Sequence, residues 1–101
     1  MPPRRSPKHT PVLVKGSLER FGQRLILARK LREMTQEQLA ALSDVSPSTL
    51  RSLEDGADGV SIGNMLKVLD GLQLLEQMDA LLDPRLDPEA VPFAERKAGV
   101  R

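Results

Sequence analysis

The 101-residue sequence predicts an all-α fold, a compact five-helix domain with flexible tails at both ends. Three observations lead there. Apolar residues recur at helical spacing through residues 17–82. Residues suited to start a helix stand at Ser17, Thr35, Ser46 and Ser61, each ahead of such a stretch. Prolines cluster at both ends, with Pro2, Pro3, Pro7 and Pro11 before the apolar stretches and Pro84, Pro88 and Pro92 after them. The chain therefore divides into a basic, Pro-rich arm (1–16), a helical domain (17–82) and a tail (83–101).

Taken in order, the arm ends in Val12-Leu13-Val14, a β-prone run closed by Gly16. It reads either as a short strand able to pair across a dimer axis or as a docking segment. Ser17 is expected to cap a first helix, about Leu18 to Arg32, burying Leu18, Phe21, Leu25, Ala28 and Leu31. Thr35 caps the second helix. Its hydroxyl accepts from the first turn, Gln38 reaches back to complete a capping box, and Met34 staples onto Leu39. Ser46 caps the third helix with Pro47 at its first position, where a missing N–H costs nothing, and Val45 staples onto Leu50. Only Ser43-Asp44-Val45 connects the two. So short a turn makes the helices cross, with small Ala40 at the close approach and Leu39, Leu42, Leu50 and Leu53 locking the pair. Two capped helices joined this way form a helix-turn-helix pattern, which in a small chain points to double-stranded DNA.

Asp55-Gly56 and Asp58-Gly59 end the third helix. Ser61 caps a fourth, with Val60 and Met65 as a staple pair; Ile62, Met65, Leu66 and Leu69 form its apolar stripe and Gly71 its stop. Leu74, Leu75, Met78, Leu81 and Leu82 predict a short fifth helix ended by Pro84. The tail is expected to be flexible, with a brief helix around Phe93–Lys97, or to fold on a partner.

Composition narrows the function classes. With no cysteine there is neither a disulfide framework nor a thiolate metal site. No apolar run reaches membrane-spanning length and no signal-peptide core is visible, which predicts a cytoplasmic protein. The net charge of +1 conceals a gradient: residues 1–16 carry four bases and no acid, residues 17–82 seven bases and ten acids, residues 83–101 four of each. Within the domain most bases come early and the acids late, so one pole suits phosphates. No enzyme is expected: there is no glycine-rich phosphate loop, no Cys nucleophile, and the single histidine, His9, lies in the arm. With Phe21 and Phe93 as the only aromatics, a stacking platform for single strands or RNA is not expected either. No cofactor and no metal is implied. Met34, Met65 and Met78 sit at core spacing.

The residues Gln36-Glu37-Gln38-Leu39-Ala40 after Thr35, Val45-Ser46 and Leu53-Glu54-Asp55-Gly56 resemble the Xre/Cro/phage-repressor helix-turn-helix family over about residues 17–82. The resemblance implies a five-helix repressor-type fold that binds operator DNA as a homodimer. The segment from Gly59 to Pro84, with Val60-Ser61-Ile62, Leu66-Lys67-Val68-Leu69 and Leu72-Gln73-Leu74-Leu75, resembles more narrowly the HipB-like antitoxins, which bind HipA-like kinase toxins and repress their own operon.

Carried onto this chain, the resemblance implies that Gln36 bonds a backbone phosphate and braces the recognition helix. Pro47, Ser48, Arg51 and Ser52 take the positions that face base edges, and Ser46 and Thr49 serve phosphates or the cap. Arg29 and Glu54 match a pair that forms a buried salt bridge. Two departures stand out. Asp44 occupies a turn position where glycine is usual, and Pro47 offers no donor to a base. Readout then leans on Arg51, whose fork suits guanine O6 and N7, on the hydroxyls of Ser48 and Ser52, and on DNA shape. A lone Arg on a helix is ordinarily a solvated charge; the position of Arg51 one turn into the third helix favours contact with DNA. Arg24, Lys30 and Arg32 read as ordinary surface charges. The arm, with Arg4, Arg5 and Lys8, either enters a minor groove or is a solvated tail. Two functions are expected to compete or combine. One is a dimeric operator-binding repressor, as an autoregulating antitoxin or as a stand-alone phage-type repressor. The other is an interaction module whose main role is neutralising a kinase toxin.

Overall fold

In a computed structural model, which describes residues 10–99, the chain is all-helical and no strand occurs among the described residues. Helices α1 (Val12–Leu31), α2 (Gln36–Ser43), α3 (Pro47–Glu54) and α4 (Ile62–Gly71) form the body. A 3₁₀ segment, Leu75–Ala80, closes it. A short 3₁₀ turn, Pro84–Leu86, and helix α5 (Ala90–Gly99) follow as a C-terminal arm. The basic residues Arg4, Arg5 and Lys8, with His9, lie outside the described residues.

The core forms where the helices cross. Leu25 of α1, Leu39 and Ala40 of α2, Leu50 and Leu53 of α3, and Val68, Leu69 and Leu72 on and just after α4 are buried. Burial of each Leu side chain stabilises the fold by about 1.5–3 kcal/mol. The stapling residues Met34, Val45, Val60 and Met65 pack against this cluster, as do Phe21 and Ala28. Two glycines set how near the helices come. A Cβ on Gly22 would meet the backbone of α3, with Leu53 O at 2.9 Å and Glu54 O nearer still. A Cβ on Gly71 would lie 3.2 Å from Ser43 Cβ and closer to its hydroxyl. Gly22 thus permits the α1–α3 contact and Gly71 the α2–α4 contact.

Three start signals form as the sequence predicts. Thr35 accepts from Gln38 N at 3.1 Å while Gln38 Oε1 accepts from Thr35 N at 2.8 Å, a complete capping box. Ser46 accepts from Thr49 N at 3.0 Å and Ser61 from Asn64 N at 3.1 Å. Each such cap stabilises its helix by about 1 kcal/mol. The C-termini share a device that the sequence signals only at Asp44 and Gly56. Glu33, Asp44, Gly56 and Gln73 each adopt a left-handed conformation, with φ between 55° and 79°. The following N–H then bonds back five residues: Met34 to Arg29, Val45 to Ala40, Ala57 to Ser52 and Leu74 to Leu69. This is the Schellman arrangement, which satisfies the free carbonyls at a helix end. Only at α3 does a glycine supply it.

Several expectations are corrected. Val12–Val14 is helical, not a strand: α1 starts after Pro11, whose carbonyl accepts from Lys15 N, and Ser17 lies inside the helix and caps nothing. The modest helix penalty of two valines does not interrupt a helix that the residues beyond them propagate. Gly71 is the last residue of α4, as expected, but the left-handed position falls on Gln73, and Gly71 also leaves the room that Ser43 takes. The expected fifth helix is a 3₁₀ segment, with Leu75, Leu81 and Leu82 exposed. Leu31 and Leu42 are 72% and 65% exposed, and Ile62 is exposed as well. In the tail the expected Phe93–Lys97 helix is the longer α5.

Candidate nucleic-acid interface

Helix α3 presents two faces. Leu50, Leu53 and Glu54 are buried, whereas Pro47, Ser48 and Arg51 are exposed and Thr49 and Ser52 half-buried. Pro47, Ser48, Arg51 and Ser52 therefore stand together on the outward face, at the spacing of successive helical turns. Ser46 and Thr49 are bound to each other: besides the cap, Ser46 Oγ donates to Thr49 Oγ1 at 2.9 Å. The side chains of Ser48, Arg51 and Ser52 have no hydrogen-bond partner among the described residues, so their donors are available to a ligand.

The outward face borders a depression of about 420 Å³ between α3 and the start of α4, lined by Ser48, Thr49, Ser52, Val60, Ser61 and Asn64 among others. No acidic side chain lines it. Ser61 and Asn64 were not singled out for a site from the sequence. The Ser61 cap was legible there, but that the first turn of α4 lies beside α3 is a tertiary fact. The nearby Asp58 carboxylate accepts from the Thr10 hydroxyl, which ties the entry to α1 onto the loop after α3.

Beneath α3 lies a buried polar cluster. Glu54 is 3% exposed. Arg29 donates to it in a fork, Nε to Oε2 at 2.7 Å and Nη2 to Oε1 at 3.1 Å, and its Nη1 donates to Met34 O at 3.0 Å. Gln36 Nε2 donates to Glu54 Oε1 at 2.8 Å. Donation to the Glu54 carboxylate holds the Arg29 guanidinium above its ordinary pKa against the opposing effect of burial. One carboxylate at the end of α3 is thus held from α1 through Arg29 and from α2 through Gln36, which fixes the angle of α3. Gln36, for which the resemblance implies a phosphate contact, spends its amide N–H on Glu54.

The chain matches the family described as Helix-turn-helix over residues 25–76, half of its length. It belongs to the Xre/Cro-type helix-turn-helix family. The matched region runs from the middle of α1 into the 3₁₀ segment and takes in the whole of α2 and α3. Comparison with characterised proteins and with solved structures returns no significant match. As a helix-turn-helix domain, the body is a module for binding double-stranded DNA in transcription regulators, a family that is generally non-enzymatic. The match is to the general family and supports nothing narrower. Among the described residues no group of three His, Cys, Asp or Glu side chains is placed to hold a metal, and no helix is long and apolar enough to cross a membrane.

Proposed function

We propose that the protein is a transcriptional repressor that binds operator DNA as a homodimer, with α3 entering the major groove. The observation that carries this reading is the outward face of α3, with its unengaged Ser48, Arg51 and Ser52, held at a set angle by the Arg29–Glu54–Gln36 cluster. Arg51 supplies the base-reading fork. Ser48 and Ser52 add short polar contacts, Pro47 packs without donating, and Ser46 and Thr49 border the phosphates. With Gln36 Nε2 committed to Glu54, its phosphate contact is left to its remaining amide hydrogen or its backbone. Two copies place their recognition helices about 34 Å apart on a palindromic site, and doubling the contacts offsets the acidity of the body. Repression follows from excluding polymerase from the bound site.

The test is a mobility shift on the gene's own upstream region at two salt concentrations, beside Arg51→Ala. Binding that is sequence-specific, weakened by salt and reduced about 10- to 100-fold in the variant agrees with one lost bidentate contact. Equal weak binding of both proteins to any duplex overturns the reading. The second reading is an autoregulating antitoxin with a HipA-like kinase partner, supported by the resemblance of residues 59–84. A kinase reading frame beside the gene, whose product co-purifies with this chain, is its test.

A further inference from the structure

The C-terminal arm carries apolar side chains that the described part of the body leaves exposed, Lys97 alone standing over the Phe93 ring at 5.6 Å from its centroid. Leu82 is 90% and Phe93 54% exposed, Leu81, Leu86 and Val91 are exposed too, and α5 buries no residue. The arm's shape is set locally, without help from the body. Asp83 accepts from Arg85 N at 2.9 Å and pairs with its guanidinium at 2.6 Å, and Asp87 accepts from Glu89 N at 2.9 Å. Pro84 and Pro88 stiffen the same two turns.

The body offers a complementary surface. Phe21, Leu25 and Ala28 of α1, with Leu69, Leu72 and Leu74, line an open apolar groove of about 300 Å³. Leu27 and Leu31 are exposed at its rim. Charge matches the two surfaces. On α1 the exposed Lys15, Arg20, Arg24 and Lys30 face solvent with Glu19 as the only acid, and Arg24 lines the groove itself. Residues 81–93 carry Asp83, Asp87 and Glu89 against Arg85 alone.

We infer that residues 81–93 of one copy dock in the α1–α4 groove of a second copy, reciprocally, so that two equivalent arm–groove contacts hold a symmetric dimer. This rests on the dimeric reading above and names its interface. Docking in the same copy is disfavoured by the chain path: Leu74 and Gln77 form the groove wall, and the few residues from there to Leu86 are already committed to the turns just described. A second copy reaches the groove without unmaking them, and exchange of an identical element is a low-cost route to a closed dimer.

The test uses full-length chains and no DNA. Molar mass is measured by light scattering for the wild type, an arm variant (Leu86→Asp with Phe93→Asp) and a groove variant (Leu27→Asp with Leu31→Asp). All four positions are exposed, and helix content by circular dichroism checks folding. The wild type is expected at twice the 11.1 kDa chain mass and each variant at the chain mass. An equimolar mixture of the two variants is expected to recover a dimer, because one intact arm meets one intact groove. Salt raised from about 0.1 M to about 1 M, which shortens the Debye length from about 10 Å to 3 Å, is expected to weaken association several-fold. A dimeric arm variant overturns the inference and leaves the dimeric repressor standing. A monomeric wild type overturns it in favour of another occupant, while DNA binding is judged separately by the mobility shift.

Discussion

Replacing Gly22 by Ala isolates the contact that sets α3 against the rest of the domain. In an exposed helix this change stabilises by about 0.8–1 kcal/mol, because glycine has the greater backbone freedom to lose. Here the new methyl would meet Leu53 O and Glu54 C at 2.9 Å, where ordinary contact begins at 3.4 Å, and Glu54 O at a still shorter distance. These are backbone atoms and cannot rotate away. The helices must part by roughly 0.5–1 Å, which forfeits a quarter to a half of the dispersion energy of the contacts spanning the gap. Overpacking of this kind costs about 1–3 kcal/mol. It also disturbs the Arg29–Glu54 fork that bridges the same two helices. We expect a net loss of about 2 kcal/mol, or roughly 10 °C in Tm for a domain of this size. The assay is urea denaturation with the slope held constant. Gly63→Ala, where the nearest heavy atom stands 3.9 Å from the added Cβ, serves as the control and should be neutral or stabilising. A Gly22→Ala protein as stable as the wild type would refute the close approach of α1 and α3.

Three further outcomes are expected. Arg29→Met strands Glu54 in the core and should cost about 3–5 kcal/mol in urea denaturation, whereas adding Glu54→Leu should recover most of it; no recovery in the double variant would show that the pair matters through something besides charge. Asp44→Gly should stabilise by about 0.5–1 kcal/mol, because φ of 55° strains a residue with a Cβ, and its 3.9 Å approach to Lys67, exposed on both sides, adds little to offset this. Ser43→Ala should raise Tm, since the Ser43 hydroxyl is buried without a hydrogen-bond partner among the described residues; a lowered Tm would mean that the hydroxyl has a role in the α2–α4 contact.

The helix starts at Thr35, Ser46 and Ser61 were legible because a cap is a local object, made by residues three apart whose side chains meet wherever the helix lies. The all-helical class and most of the core were legible for a similar reason, since spacing alone puts Leu25, Leu39, Leu50 and Leu53 on the faces that must be covered. The helix ends were harder. Glu33 and Gln73 carry no turn signature, and their left-handed conformations arise because Met34 and Leu74 must fold back onto the core.

What the sequence determined by itself is therefore whatever depends on near neighbours: helical class and the capped pair α2–α3, whereas the set Pro47, Ser48, Arg51 and Ser52 came from the family resemblance. Tertiary structure alone decided what depends on distant neighbours. It made Gly22 and Gly71 the points of closest helix approach, left Leu31 and Leu42 exposed despite their helical spacing, and turned the Gln36 amide onto Glu54. It also placed the start of α4 beside α3. Periodicity says which side of a helix is apolar; only the partner helices say how much of that side is covered.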